Sequence, residues 1–188
     1  TLIEKALEND IDPEQIINRA MITGMDVVGQ KFSDNEIFVP EMLVSAMAMK
    51  KGLDILKPML SEHEGQSRGK VVLCTVKGDL HDIGKNLVAM MLEGAGLQVF
   101  DLGVDVTVDQ VVAKVAEIQP EVLGMSALLT TTMPEMQNVI ERLTAKGLRE
   151  KVKIMLGGAP VTKDVANLFG ADGYAESAGN AVTEGIKM

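Results

Sequence analysis

One histidine stands where it could bind a metal. The run Asp79-Leu80-His81-Asp82-Ile83-Gly84 comes shortly after an apolar stretch, Val71–Val76, that is typical of a buried strand. A neutral imidazole offers one ring nitrogen to a metal, and a carboxylate on the other nitrogen fixes the tautomer and raises the basicity of the ligand. The acidic residue two positions before His81 could serve that purpose. The run therefore predicts an oriented imidazole at the end of a strand.

The other residues of the sequence limit which metal His81 could bind. Zinc sites take three or four protein ligands, whereas the sequence has one cysteine, Cys74, and one further histidine, His63. His63 lies in the polar stretch 61–69, which has the composition of a linker, and we assign it no role. A metal held in a macrocycle brings its own equatorial ligands and needs a single axial donor. An ordinary loop or helix-capping histidine is the alternative for His81.

Composition argues against two classes of partner. The net charge is −9 and only 3% of the residues are aromatic, so nucleic acid would be repelled and would find few stacking surfaces. We find no basic amphipathic run, no membrane-spanning apolar stretch and no signal-peptide pattern, so a membrane partner is not expected. The single cysteine cannot form an internal disulfide, which favours a reducing, cytoplasmic location.

The first third of the chain has helical periodicity. Asp12-Pro13-Glu14-Gln15 combines an N-cap, a proline at the first helical position and capping-box spacing. A second helix is predicted to start at Pro40, the segment Leu2–Leu7 resembles part of an earlier helix, and Lys31–Val39 is predicted as a connection. These features predict a small all-α domain.

From residue 70 onward, short apolar runs alternate with helical periods. The predicted strands are Lys70–Val76, Leu97–Asp101, Glu121–Ser126, Lys153–Leu156 and Asp172–Ala175. The predicted helices are Ile83–Glu93, Val108–Ile118, Pro134–Lys146, Val161–Leu168 and Ala178–Lys187. This alternation predicts an α/β fold: a five-stranded parallel, Rossmann-like (flavodoxin-like) sheet with helices on both faces. The predicted domains are 1–64 (helical), 65–69 (linker) and 70–188 (α/β).

Three candidate segments follow the ends of predicted strands. They are Asp79–Gly84, Ser126–Thr130 and Gly157-Gly158-Ala159. Parallel sheets bind ligands outside the carboxyl ends of their strands, so we expect these segments to converge. Thr132 and Glu135 have capping-box spacing and predict the start of the next helix.

These motifs, in this order, resemble a known family. Asp79–Gly84, then Ser126-Ala127-Leu128, then Gly157-Gly158 is similar to the cobalamin-binding signature of methionine synthase and its relatives. In the helical part, Gly24-Met25, Gly29, Phe32 and Glu36–Pro40 resemble the helical cap that precedes that domain in corrinoid methyltransferases. The chain thus resembles the free-standing corrinoid proteins of methyltransferase systems that act on methylamines, methanol or aryl methyl ethers.

The resemblance implies a cofactor, cobalamin or a related corrinoid, bound in the His-on mode. His81 would replace the displaced nucleotide base as lower ligand of cobalt, Asp79 would hydrogen-bond it, and Ser126 would extend the relay. Gly157 and Gly158 would line a slot for the displaced nucleotide tail. The remaining implied cofactor contacts are Gly78, Asp82, Ile83 and Gly84 in the ligand loop, Leu128, Thr130, Tyr174 and Ala178 around the slot, and Phe32 and Val39 over the upper corrin face.

Each of these residues also has an ordinary structural interpretation. Ser126 could be a helix cap or a buried hydroxyl, the glycine pair could form a tight turn, and Phe32 and Val39 could belong to the core between helices. Val39 departs from the family, in which a leucine is familiar at that position.

The implied function is methyl carriage. Cobalt would accept a methyl group from a substrate activated on a partner methyltransferase, and a second methyltransferase would pass it to a thiol or a tetrahydropterin. A reductive activation protein is a further implied partner. An adenosylcobalamin mutase subunit is the first alternative, although such subunits lack the cap. A cobalamin-sensing regulator would need a basic helix pair before the cap, and a flavodoxin-like binding module would leave His81 as a loop residue.

Overall fold

A single parallel sheet organises the chain. The computed structural model describes residues 1–56, 59 and 68–187, so most of the predicted linker, and His63, lie outside the described residues. Within them, five strands form one parallel sheet in the order β2-β1-β3-β4-β5. The strands are β1 (Lys70–Thr75), β2 (Gln98–Asp101), β3 (Val122–Ser126), β4 (Lys153–Gly157) and β5 (Gly173–Ala175).

The register aligns the candidate segments along one edge. Thr75 at the end of β1 pairs with Ser126 at the end of β3, and Ser126 pairs in turn with Gly157 at the end of β4. The strand order reverses between β1 and β3, because β2 lies on the far side of β1. This reversal is the switch point at which doubly wound sheets open a crevice for ligands.

Helices cover both faces of the sheet. They are α1 (Leu2–Glu8), α2 (Pro13–Gln15), a π-helical stretch (Ile16–Ile22), α3 (Thr23–Ser33), α4 (Val39–Leu56), α5 (Ile83–Gly94), α6 (Val108–Ile118), α7 (Pro134–Ala145), α8 (Lys163–Phe169) and α9 (Ala178–Lys187). One apolar core joins the sheet to α6, α7 and α8. A second core joins its other face to α5, α9, α3 and α4.

The helical cap packs closely on α5. Met42, Ala46 and Met49 of α4 are buried in the second core. A side-chain carbon added to Gly94 of α5 would lie 2.5 Å from the Cβ of Ala46, so this glycine lets the two helices approach. Burial of one face of α4 against α5 thus packs the cap on the α/β domain.

The sequence predicted this architecture and nearly all element limits. The parallel α/β sheet with a helical cap is confirmed, and each strand begins and ends within one residue of its predicted limits. The connection between α3 and α4 is shorter than the predicted Lys31–Val39, because α3 continues to Ser33 and α4 already begins at Val39. Across 1–56, 59 and 68–187, no helix has the length and apolarity to cross a bilayer.

A carboxylate joins the starts of β4 and β5, and its ionisation predicts a pH dependence. Asp172 accepts a hydrogen bond from the Ile154 amide (2.8 Å) and pairs with the Arg149 guanidinium (2.8 Å). Burial by itself would raise the pKa of this carboxyl, but these contacts outweigh it and hold the pKa below its ordinary value. A lowered pKa adds stability that is complete above the unfolded value and is lost as pH falls through the folded one.

We expect Asp172→Asn to lower the free energy of unfolding at pH 7 by about 1 kcal/mol. The difference from wild type should shrink below about pH 4, where the unfolded carboxyl is protonated. Urea denaturation between pH 2.5 and 7 measures it. Asp54→Asn, on the exposed face of α4, serves as the control and should change little. A deficit for Asp172→Asn that stays constant over this range would contradict the assignment.

Candidate functional site

The His81 ring is fixed by one buried carboxylate. Its Nδ1 lies 2.7 Å from Oδ1 of Asp79, and the His81 backbone N–H donates to the same oxygen at 3.0 Å. Asp79 is fully buried, whereas the His81 side chain is 52% exposed. An ionised carboxylate can only accept, so Nδ1 carries the proton and Nε2 carries the lone pair. The half-exposed ring therefore offers Nε2 as its donor atom.

The second oxygen of Asp79 ties this turn to the loop after β3. Oδ2 accepts from the backbone N–H groups of Leu128 (2.7 Å) and Leu129 (3.2 Å) and from the hydroxyl of Thr132 (2.8 Å). Burial alone would raise the pKa of the Asp79 carboxyl, but the hydrogen bonds from His81, Leu128 and Thr132 outweigh it and hold that pKa far below its usual range. Asp79 is therefore an anion that keeps its charge while it orients the imidazole.

Among the described residues, the hydroxyl that donates to Asp79 belongs to Thr132, whereas the resemblance implied Ser126 in this role. Ser126 lies at the end of β3, where its carbonyl accepts from the Val76 amide at 3.1 Å, and the hydroxyl on Asp79 is that of Thr132. The predicted capping box of Thr132 and Glu135 is also wrong: α7 begins after Met133 without a side-chain cap. Sequence spacing alone does not distinguish the two roles of Thr132, because the same residue types cap helices and bind buried carboxylates.

A second hydroxyl fixes the backbone of the turn that carries His81 (Asp79–Gly84, the ligand turn). Thr75 is fully buried at the end of β1 and donates from Oγ1 to the carbonyl of His81 at 3.0 Å. The position of Thr75, a polar residue inside the apolar run Val71–Val76, is the signal in the sequence that could have indicated this role. With Thr75 below it and Asp79 beside it, His81 has little freedom to leave its position.

Apolar side chains surround the exposed imidazole. Leu80, Ile83, Leu128 and Leu129 are all exposed, Ile83 at 87%. Among the described residues, no group of three or more His, Cys, Asp and Glu could hold a metal ion. One nitrogen donor within an apolar rim suits a broad macrocycle that carries its own equatorial ligands, and it does not suit zinc. The donor set thus fits the corrinoid that the sequence implies.

Gly78, just before the ligand turn, and Gly84, at its end, differ in whether the backbone requires glycine at their positions. Gly78 has a φ of +81°, a left-handed conformation that favours glycine, and its N–H donates to Asp105 at 2.7 Å. Gly84 lies within the first turn of α5, and a side-chain carbon there would meet no described atom within 4 Å. Because glycine weakens a helix relative to alanine, the open space at Gly84 is consistent with close approach by a ligand.

Of the glycine pair at the end of β4, Gly158 is needed by the backbone itself. A side-chain carbon at Gly158, where φ is +120°, would lie 1.9 Å from the carbonyl oxygen of Ala127. At Gly157 it would lie 3.3 Å from the carbonyl oxygen of Ala175. The ordinary interpretation of a tight turn therefore accounts for Gly158 without a ligand. Whether the pair also borders a slot for a nucleotide tail stays a prediction.

The other predicted contacts fall on different faces of the sheet. Phe32 lies against α9, where a side-chain carbon at Gly179 would come within 1.8 Å of its ring. Ala178 belongs to the same core as Phe32, and Val39 is partly exposed at the start of α4. Tyr174 packs in the opposite core, with α6, α7 and α8, so the structure does not bring it to the α5 side where the slot was predicted. Thr130 and Asp82 lie in the loops after β3 and β1.

We expect Thr132→Val to destabilise the protein by about 1–2 kcal/mol, because the buried Asp79 carboxylate loses a hydroxyl donor. Urea denaturation of the protein without cofactor measures the change. The control is Thr131→Val, at the exposed neighbouring position. Equal stability of the two variants would show that the Thr132 hydroxyl does not support Asp79.

We expect Gly158→Ala to lower the free energy of unfolding by at least about 2 kcal/mol, because the added methyl group meets the Ala127 carbonyl. Gly103→Ala is the matched control, since Gly103 has a φ of +84° but no described atom within 4 Å of the added carbon. The difference between the two variants isolates the clash from the backbone strain. Similar losses in thermal unfolding would contradict the close approach.

Comparison with known proteins agrees with this geometry. Residues 69–183 match a family model described as a B12 binding domain, and residues 1–57 match a second model with the same description. Trimethylamine corrinoid protein 2 of Methanosarcina mazei is 43% identical over 183 residues, which cover 96% of this chain and 84% of that protein.

Two solved structures share the fold at clear sequence identity. A cobalamin-binding protein from Desulfitobacterium hafniense DCB-2 superposes with a TM-score of 0.81 and 37% identity, covering 99% of this chain and 88% of that chain. A chain of the methanol:cobalamin methyltransferase complex MtaBC from Methanosarcina barkeri gives a TM-score of 0.85 and 35% identity. The match covers 96% of this chain and 69% of that chain. The fold, the His81 turn and these matches lead to one conclusion: the chain belongs to the corrinoid proteins that contain a B12-binding domain.

Proposed function

We propose that this chain binds a cobalt corrinoid through Nε2 of His81 and carries a methyl group between two methyltransferases. The observation that carries the proposal is a single imidazole, held by a buried anion, within an exposed apolar rim. The names of the relatives support it, since one is a trimethylamine corrinoid protein and another belongs to a methanol:cobalamin methyltransferase complex.

The protein's own contribution is ligation and orientation. When bound, the corrin cobalt supplies both the nucleophile and the carrier atom for the methyl group, so the chain needs no nucleophilic side chain. Asp79 holds the proton on Nδ1 of His81 and thereby keeps Nε2 available as the lower ligand. In this proposal Nε2 of His81 would hold the cobalt in place of the nucleotide base of the cofactor.

The charge on Asp79 determines where a proton can be held. Its carboxylate accepts hydrogen bonds from His81, Leu128, Leu129 and Thr132, and its pKa lies far below the usual range. Because the ionised Asp79 accepts from Nδ1 of His81, the ring proton is held at Nδ1 and the lone pair at Nε2.

Access to the upper corrin face requires the cap to move. Phe32 in the last turn of α3 and Val39 at the start of α4 are the proposed apolar cover of that face. A cover that excludes water between transfers must open when a partner enzyme docks, which is a gating step separate from the chemistry. We propose that the partners are a substrate-specific methyltransferase, an acceptor methyltransferase acting on a thiol or tetrahydropterin, and a reductive activation protein.

The cap also bears on the alternatives. Its match to a B12-binding family model over residues 1–57 favours a methyl carrier over a mutase subunit, because the latter lacks such a cap. A methylamine or methanol is the substrate class that the relatives' names support. The cytoplasmic location expected from the sequence stays a prediction.

Spectroscopy of the reconstituted protein tests the ligand. We expect the wild-type chain, refolded or purified with hydroxocobalamin, to show the ultraviolet–visible spectrum of a His-on corrinoid. His81→Ala should lose that spectrum, because no other described group of the loop offers a neutral nitrogen donor. His63→Ala removes the only other histidine of the sequence and should retain the wild-type spectrum. An unchanged spectrum in His81→Ala would refute the ligand role.

A further inference from the structure

A lysine is buried immediately after the ligand turn. Lys85 follows Gly84 in the first turn of α5, and its side chain is only 3% exposed. Burying an ammonium group costs free energy unless it is paired and hydrogen-bonded. The proposed function gives this lysine no role, so its burial calls for a separate explanation.

The Lys85 ammonium is the centre of a polar network that leads back to His81. It pairs with Asp101 at the end of β2 and donates to Oδ1 of Asn86 at 2.7 Å. The amide nitrogen of Asn86 donates to Oδ2 of Asp82 at 2.9 Å. The backbone adds a parallel contact, because the N–H of Asn86 donates to the carbonyl of Asp82 at 2.7 Å. The network Asp101–Lys85–Asn86–Asp82 thus ends one residue after His81.

The two sides of the ligand turn are fixed by different groups. Asp79 and Thr75 hold the ring and carbonyl of His81 from the strand side. Asp82, at the N-cap position of α5, makes no side-chain capping bond and is held instead by Asn86. The helix side of the turn therefore depends on Lys85, which anchors this part of α5 to β2.

We propose that Lys85 is a positioning residue for the cobalt ligand: its buried ion pair with Asp101 sets the start of α5 and, through Asn86 and Asp82, the position of the His81 turn. This inference rests on the proposed function, since it concerns how well Nε2 meets the metal. Outer groups that orient a metal ligand affect metal affinity by about 10–100-fold in other proteins.

The alternative is that the ion pair only stabilises the packing of α5 on the sheet. A second ion pair of α5 separates the two explanations, because Lys50 of α4 pairs with Glu93 at the other end of the same helix (2.6 Å). Lys50→Met removes a pairing to α5 far from the ligand turn. Because Lys50 is 58% exposed, this variant is the control for loss of an exposed ion pair of α5.

Lys85→Met keeps the apolar stem and removes the charge. The remaining Asp101 side chain is 35% exposed and can be hydrated, so we expect the variant to fold. We expect its Kd for hydroxocobalamin to rise by about tenfold and its His-on fraction, read from the ultraviolet–visible spectrum, to fall. Asp101→Asn keeps an acceptor for Lys85. It should also raise the Kd and lower the His-on fraction, but by less than Lys85→Met does. Lys50→Met should match wild type in both.

The possible outcomes distinguish a failure of the role of Lys85 from a failure of the proposed function. A lowered thermal midpoint for Lys85→Met with wild-type Kd and His-on fraction would overturn the positioning role and leave a stabilising one. If Lys85→Met does not fold, Asp101→Asn decides by the same two quantities. Two other results would instead overturn the proposed function and with it the role of Lys85. One is a wild-type protein that shows no His-on spectrum, and the other is a His81→Ala variant whose spectrum equals that of the wild type.

Discussion

The site depends on one buried anion. Asp79 is fully inaccessible to solvent, and a charge in that position persists only because donors from two loops surround it. The same hydrogen bonds that stabilise the carboxylate join the turn after β1 to the loop after β3. The carboxylate of Asp79 therefore contributes both to the orientation of His81 and to the attachment of the two loops.

The sheet order explains why these loops meet. Reversal of the strand order between β1 and β3 leaves their following segments side by side at the carboxyl edge. The helices contribute on both sides: α5 carries the far end of the ligand turn, and the cap packs on α5 through α4. A cofactor bound at His81 would thus lie where the sheet, α5 and the cap converge, which links ligation to cap position.

The fold and the contact between Asp79 and His81 could be predicted from the sequence, whereas the residues that support this contact could not. Apolar periodicity and helix-start signals located the strands because local patterns and tertiary packing agree there. His81 and Asp79 were found because their spacing is local. Thr132 and Lys85 were missed because their partners, Asp79 and Asp101, lie 53 and 16 positions away in the sequence. Tyr174 packs with α6, α7 and α8, and its implied contact with the cofactor stays a prediction.

The most direct measurement of the central claim is electron paramagnetic resonance of the cobalt(II) corrinoid bound to protein labelled with ¹⁵N-histidine. If an imidazole nitrogen is bonded to the metal, as we propose, the axial nitrogen splitting is a triplet in unlabelled protein and becomes a doublet in labelled protein. A triplet that persists after labelling, or no nitrogen splitting in either sample, would contradict it.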